Sequence, residues 1–413
     1  MSLPRLGRWA GVFLATVTMS SATTPLADRI AAGEETRIVC FGDSITGIYY
    51  HTGGHRAWSH LLGDQLKQSW PGARLIMINA GVSGNTTADA LARLDADVLA
   101  HRPHLVVMKF GMNDTARLSA ETFRAYLHAL CDRIRGAGSE ILLLTPNAVE
   151  PGDAGRPPEK VAAYAAIVRE VGRARGVNVA DVYAAFAAVQ ASAPADWLRL
   201  MSDTIHPNLR GHALIAGTAA AALTGRPVGP AQIPPRRDSR RAPFARTAEK
   251  LQAGQPVHVL AMAPLDTMIA AAIRREFPAA AVHVTRWETA GKSLATLEAD
   301  ATAEGWMKYR NQTILTPPDL VLVAVPASAE PAPGVPYYRT FGGILNRAQW
   351  FDGSGWDCVV VLPSMMQPDL PPAEAEREQI ALAAARDKDV PVIQRTVGHG
   401  DNAEALLIQM LHP

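Results

Sequence analysis

The sequence predicts an α/β protein built on parallel sheets, and it predicts the pattern twice. Two observations carry this. Short β-rich runs alternate with amphipathic helical stretches, and after a Pro- and Arg-rich interruption near the middle the alternation resumes. In the first half the runs are 37–41, 74–79, 104–110, 140–145 and 177–181, with helical patterns over 57–68, 119–135 and 211–223. Strands and helices alternating at this spacing imply a parallel sheet with helices on both faces. In the second half the strand candidates are 257–263, 282–286, 319–325, 357–362 and 390–394. Ligands of such sheets bind beyond the C-terminal ends of the strands. Ser44 and Asn113 both fall just past such ends.

The chain of 413 residues exceeds a usual single domain, and 48% hydrophobic residues suffice for sizeable cores. A charged fraction of 19% argues against wholesale disorder, and a net charge of +1 provides no global field to recruit nucleic acid. Residues 1–27 read as an export signal. Arg5 and Arg8 form a basic start, 9–19 an apolar stretch too short to span a bilayer comfortably, and small residues follow. The expected location is therefore periplasmic or secreted, without a stable membrane anchor; an uncleaved anchor is the alternative. No cysteine follows the apolar run, which disfavours a lipid anchor. Cys40, Cys131 and Cys358 read as buried free thiols, although export would permit one disulfide.

The expected organisation is a first α/β domain over 28–225, a linker over 226–247 and a second α/β domain over 248–413. The linker carries Pro227, Pro230, Pro234, Pro235, Arg236, Arg237, Arg240 and Arg241. It reads as a solvated connector, with a basic docking patch for an acidic polymer as the other reading. The two domains look like a duplication. Residues 27–33 match 248–254 in chemistry at nearly every position, an offset of 221 (254 − 33) that sets Leu265 opposite Ser44. Pro103-His104-Leu105-Val106-Val107 likewise resembles Pro318-Asp319-Leu320-Val321-Leu322, which sets Ser328 opposite Asn113. Chance likeness of two domains of similar period is the competing explanation. Near the C-terminus no Asp-x-x-His occurs, and His399-Gly400-Asp401 has the wrong order and spacing, so the second domain is expected to be inactive.

Candidate chemistry concentrates in the first domain. A serine hydroxyl needs an adjacent base, a group to orient that base, and donors for the oxyanion formed on attack. Gly42-Asp43-Ser44-Ile45 follows an apolar run and offers Ser44 as nucleophile. Alone, it reads more simply as an Asp-Ser turn or helix cap. Asp203-Thr204-Ile205-His206-Pro207 offers His206 as base and Asp203 as orienting acid, since three-residue spacing lets both project from one turn. Gly84, in a loop after the second strand, can present its N–H without side-chain obstruction. Asn113 can donate its side-chain amide to the same oxygen. Around the nucleophile, Asp43, His51, His55 and Arg56 are candidate substrate contacts at the mouth of the site. The His51/His55 spacing invites a metal reading, but two glycines intervene and no carboxylate completes the set. Trp58 reads as core, His212 as a helix-face residue, and Tyr337-Tyr338-Arg339 with Trp350-Phe351 as packing aromatics or, alternatively, sugar-stacking ones.

These blocks, Gly42-Asp43-Ser44-Ile45-Thr46, Gly84, Asn113 and Asp203 with His206, resemble in order and context those of the SGNH (GDSL) hydrolase family. The resemblance covers about the first half of the chain. It implies a flavodoxin-like three-layer α/β/α fold, no metal or other cofactor, and hydrolysis through an acyl-enzyme, with an oxyanion hole of the Ser44 and Gly84 backbone N–H groups and the Asn113 side chain. The Gly-x-Ser-x-Gly elbow of α/β-hydrolases is absent around Ser44. The expected function is thus an exported serine esterase acting on a small-molecule or glycan ester, short-chain or carbohydrate O-acetyl. A lysophospholipase or thioesterase acting on lipid acyl groups is the close competitor. A glycan-binding or scaffold protein with a vestigial hydrolase fold is the rival of a different class. The second domain is expected to dock on the first, supply site residues or mediate dimerisation.

Overall fold

The computed structural model describes residues 25–233, 243–303, 317–351, 355–395 and 403–412. Two five-stranded parallel sheets organise them. The first contains β1 (Glu35–Gly42), β2 (Arg74–Gly81), β3 (Leu105–Lys109), β4 (Glu140–Leu144) and β5 (Asn178–Ala180), in the order β2-β1-β3-β4-β5. The second contains β6 (Val257–Met262), β7 (Val282–Trp287), β8 (Leu320–Val323), β9 (Asp357–Val361) and β10 (Val392–Ile393), in the order β7-β6-β8-β9-β10. The α/β class and each expected strand are present, with ends shifted by at most two residues.

The period-2 alternation of each strand divides the first domain into two core layers. Ile38, Cys40, Leu105, Val107, Leu142 and Leu144 face one helical layer, which includes the helices Trp58–Ser69 and Leu209–Thr224. Val39, Phe41, Val106, Met108, Ile141 and Leu143 face the other, which includes the helices Ala120–Gly136 and Pro158–Arg175. Both faces of the central strands are therefore dry, and each fully buried large apolar side chain there contributes about 1.5–3 kcal/mol.

The two halves repeat one another in detail beyond strand order. Ile38 of β1 pairs with Leu105 of β3, and Val259 of β6 pairs with Leu320 of β8, so the registers carry offsets of 221 (259 − 38) and 215 (320 − 105). Just before β3, the His104 ring accepts the Arg37 N–H at 3.0 Å; at the corresponding place the Asp319 carboxylate accepts the His258 N–H at 3.0 Å. The Leu26 N–H donates to the Glu140 carboxylate at the start of β4, and the Thr247 N–H donates to the Asp357 carboxylate at the start of β9. Two positions differ from the expected boundaries. The helix Pro25–Ala31 belongs to the first domain and buries Leu26, so that domain starts before Asp28. The connector is packed at both ends rather than solvated throughout. Ala231 is buried with its N–H on the Ala213 carbonyl at 2.8 Å, and the helix Ala245–Gln252 begins beside a fully buried Phe244. Residues 1–24, the basic run at 236–241 and His399-Gly400-Asp401 lie outside the described residues.

The halves meet along a polar seam. Arg56 Nη2 lies 2.9 Å from the Asp389 carboxylate, Arg199 Nε 3.1 Å from that of Asp387, and Arg339 pairs with Glu150. The Tyr338 hydroxyl accepts from Asn208 Nδ2 at 2.9 Å and donates to Asp387 at 3.1 Å. Phe351 packs on Tyr49, ring centres 4.3 Å apart. All three cysteines are free thiols. Among the described residues no helix is long and apolar enough to cross a membrane.

Candidate active site

The turn after β1 forces the Ser44 side chain out of the sheet. A Cβ on Gly42 would stand 2.1 Å from Thr46 Oγ1 and 2.7 Å from the Lys109 carbonyl, so only glycine fits this close crossing. Asp43 then folds inward: its Oδ1 accepts the Ile45 N–H at 2.9 Å, and its carbonyl accepts the Thr46 and Gly47 N–H groups at 3.0 Å each. Ser44, between a buried Asp43 and a buried Ile45, retains partial access to solvent.

The loop before the helix Leu209–Thr224 brings the second block to that serine. Ser44 Oγ lies 2.9 Å from His206 Nε2. On the other side of the ring, His206 Nδ1 lies 2.8 Å from Asp203 Oδ2. Asp203 Oδ1 is fixed by the Ile205 and His206 N–H groups at 2.9 and 2.7 Å, the short turn that the three-residue spacing allows. Gly84 has φ +79°, and its surroundings are open. Its carbonyl accepts from Arg117 at 2.7 Å. Asn113 follows β3 at the start of the short helix Met112–Arg117, with Nδ2 on the Asn85 carbonyl at 3.0 Å and Oδ1 on Arg156 at 3.1 Å. The loop of Gly84 and the side chain of Asn113 are thus tied together through Asn85.

Residues 40–214 match the model of the GDSL-like lipase/acylhydrolase family. The chain belongs to that family, the SGNH hydrolases. It is 27% identical over 209 residues to an acetylxylan esterase of Geobacillus stearothermophilus, covering 46% of this chain and 93% of that protein. It is 27% identical over 194 residues to the thioesterase 1/protease 1/lysophospholipase L1 of Escherichia coli strain K12, covering 47% and 85%. A solved alpha/beta hydrolase from the metagenome of Lake Arreo, Spain, is 33% identical, with 46% of this chain and 95% of that one covered, at a TM-score of 0.39. This SGNH hydrolase is an ester hydrolase.

The electrostatics of the hydrolase site follow from burial. Desolvation would raise the Asp203 carboxyl, but the His206 charge, the Nδ1 hydrogen bond, His51 and the His206 backbone N–H together hold it well below the usual carboxylate range. Asp43 is raised by burial against the pull of Lys109 and the Ile45 N–H. Lys109, fully buried below it, is brought down to about 8 by the same desolvation.

Several polar residues read from the sequence as substrate contacts have other partners here. Asp43 is 1% exposed. His51 is also buried: its Nδ1 lies 2.9 Å from Ser202 Oγ, and its ring stacks on His206 with centres 4.0 Å apart. Arg56 engages Asp389 of the second half. His55 is half-buried. His212 is buried, with Nδ1 accepting the Trp58 N–H at 2.9 Å, so it is a core residue, as is Trp58. Tyr337 and Tyr338 are buried as packing residues. One atom each of His51, Asp203 and His206 fall within 4.8 Å of one another. As a metal cluster they fit poorly, because both His206 nitrogens and His51 Nδ1 already hold hydrogen-bond partners.

Sequence reasoning missed the layer behind the acid. Ser202 Oγ contacts His51, Asn346 Oδ1 and Lys388 Nζ, and Asn346 Nδ2 donates to the Ser202 carbonyl at 3.0 Å. Ser202 was readable as the neighbour of Asp203. Asn346 and Lys388 stand far along the chain and carry no local signal.

Proposed function

We propose that this SGNH hydrolase is a serine esterase working through an acyl-enzyme on short-chain esters, carbohydrate O-acetyl groups in the first place. The observation that carries the reading is the continuous Ser44–His206–Asp203 hydrogen-bond line. Ser44 Oγ attacks the ester carbonyl while His206 Nε2 takes its proton; Asp203 keeps the other ring nitrogen protonated and aimed. The tetrahedral oxyanion is received by the Ser44 and Gly84 N–H groups and the Asn113 amide. His206 returns the proton to the leaving alcohol, and water repeats the sequence on the acyl-enzyme. The acetylxylan esterase likeness supports an acetyl substrate.

A lipid acyl or thioester substrate is favoured by one observation, the likeness to the Escherichia coli thioesterase and lysophospholipase. Rates on acetyl and octanoyl p-nitrophenyl esters separate the two, since a steep rise with chain length argues for the lipid acyl reading. Mapping a fluorophosphonate adduct to Ser44 tests the nucleophile, and an adduct elsewhere overturns it. We further propose that the second half is a duplicate of the first that has lost its chemistry, with Leu265 standing where Ser44 would be. Shared strand order, offsets and strand-start hydrogen bonds support this. Export, and the lack of a nucleic-acid partner, belong to the same proposal, and fractionation of the expressed protein tests the former.

A further inference from the structure

We propose that the second half acts on the reaction through Lys388, a positioning residue that, with Ser202, holds His51 as a proton acceptor at Nδ1 and so leaves the Asp203 carboxylate to His206 alone. This inference rests on the Ser44–His206–Asp203 reading above.

The geometry is a buried chain of polar groups crossing the seam. Lys388 follows the helix Pro372–Asp387 and is fully buried, and its amine contacts both Ser202 Oγ and Asn346 Oδ1. Asn346, 6% exposed near the end of the helix Tyr337–Ala348, also bonds the Ser202 carbonyl. Ser202, 2% exposed, immediately precedes Asp203, and its hydroxyl has one proton to place. Two acceptors stand 2.9 Å away, Asn346 Oδ1 and His51 Nδ1. One lysine N–H takes one of the two lone pairs of Asn346 Oδ1 and another points at Ser202 Oγ, which both the charged and the neutral amine can do. A hydroxyl proton on the remaining lone pair of Asn346 Oδ1 would stand beside the lysine protons, which favours His51 Nδ1 as its acceptor.

That choice matters for the acid. His51 Nδ1 is 4.0 Å from Asp203 Oδ2, the oxygen that serves His206. A proton on His51 Nδ1 would draw on the same carboxylate, and a charged His51 would stand against the imidazolium that His206 becomes during reaction. Occupying Nδ1 from the Ser202 side removes both. Burial, the His206 charge and that of Lys388 all favour neutral His51, against the pull of Asp203.

The test is the full-length protein with K388M, S202A and the double variant, assayed on p-nitrophenyl acetate, together with the ¹⁵N signal of His51. In the wild type Nδ1 should resonate as an unprotonated ring nitrogen. K388M and S202A should each lower kcat by about tenfold with KM within about twofold, and should shift Nδ1 toward the protonated signal. The double variant should be no slower than the slower single one, because both changes act on one proton. A wild-type His51 already protonated at Nδ1, unchanged kcat in both single variants, or multiplicative losses in the double variant overturns the proposal. Should K388M fail to fold, S202A, which removes a single oxygen, decides alone. S44A separates the layers: turnover surviving in S44A defeats the underlying site reading. Turnover lost in S44A but untouched in K388M and S202A defeats only this inference.

Discussion

Replacing Asp203 by Asn should abolish most turnover while leaving the fold intact, and the reason lies in how its two oxygens divide their work. Oδ1 takes the Ile205 and His206 backbone N–H groups and lies 3.1 Å from His206 Nδ1, whereas Oδ2 makes the closer approach to Nδ1 at 2.8 Å. In D203N the amide oxygen keeps the two backbone bonds, so the turn survives. The amide nitrogen then stands where Oδ2 was and points its N–H at Nδ1. A ring that accepts at Nδ1 must carry its proton on Nε2, the atom 2.9 Å from Ser44 Oγ, and there it can no longer act as base. The same change of tautomer in a serine protease triad lowers kcat by about 10⁴, a barrier increase of about 5.4 kcal/mol. We expect a loss of that size in kcat on p-nitrophenyl acetate, KM within a few-fold, and an unchanged circular dichroism spectrum. A D203N enzyme within tenfold of wild type would refute the assignment of Asp203 as the group that sets the ring.

N113A should lower kcat by about 100- to 1,000-fold with little change in KM. A change confined to KM would place Asn113 in ground-state binding instead. G84A should lower Tm by a few degrees, because its φ of +79° costs an L-residue about 1–2 kcal/mol although the nearest atom to a new Cβ is 3.9 Å away; an unchanged Tm would contradict that conformation. Lys388 has its amine brought down to about 7, by burial first and against the pull of Asp203. Its unfolded value is higher, so the burial penalty is fully present below pH 7 and is relieved as pH rises from about 7 to about 10. Thermal melts should therefore show a rise in stability over that window that is smaller in K388M; equal slopes would refute it. Y338F should destabilise by about 1–2 kcal/mol through loss of the hydroxyl that bridges Asn208 and Asp387, read by urea unfolding.

Much of the fold was legible because parallel sheets covered on both faces leave short apolar runs between helical stretches, and β1, β3, β4, β6 and β9 are such runs. Ser44, Gly84, Asn113, Asp203 and His206 were legible for a related reason. Ser44 and Gly84 sit in short loops just beyond strands, Asn113 at the start of the short helix after β3, and Asp203 and His206 just before the helix Leu209–Thr224, positions that a parallel sheet gathers at the C-terminal ends of its strands. The polar residues after Ser44 were not. His51 and Arg56 look alike in sequence whether they face a substrate or another part of the chain, and here they meet Ser202 and Asp389. Lys388 and Asn346 were invisible because they reach Ser202 across 186 and 144 residues. No local period records which polar group of a distant helix will be buried. The connector misled by composition: its prolines and arginines concealed the point at which Phe244 and the helix Ala245–Gln252 rejoin a core.

Phe351, from the second half, lies against Tyr49, whose hydroxyl accepts the Ser83 N–H beside Gly84. Selection on substrate preference therefore has two separate targets in this chain. Changes around Phe351 can reshape the surroundings of the Gly84 loop while the residues that make and break bonds stay untouched.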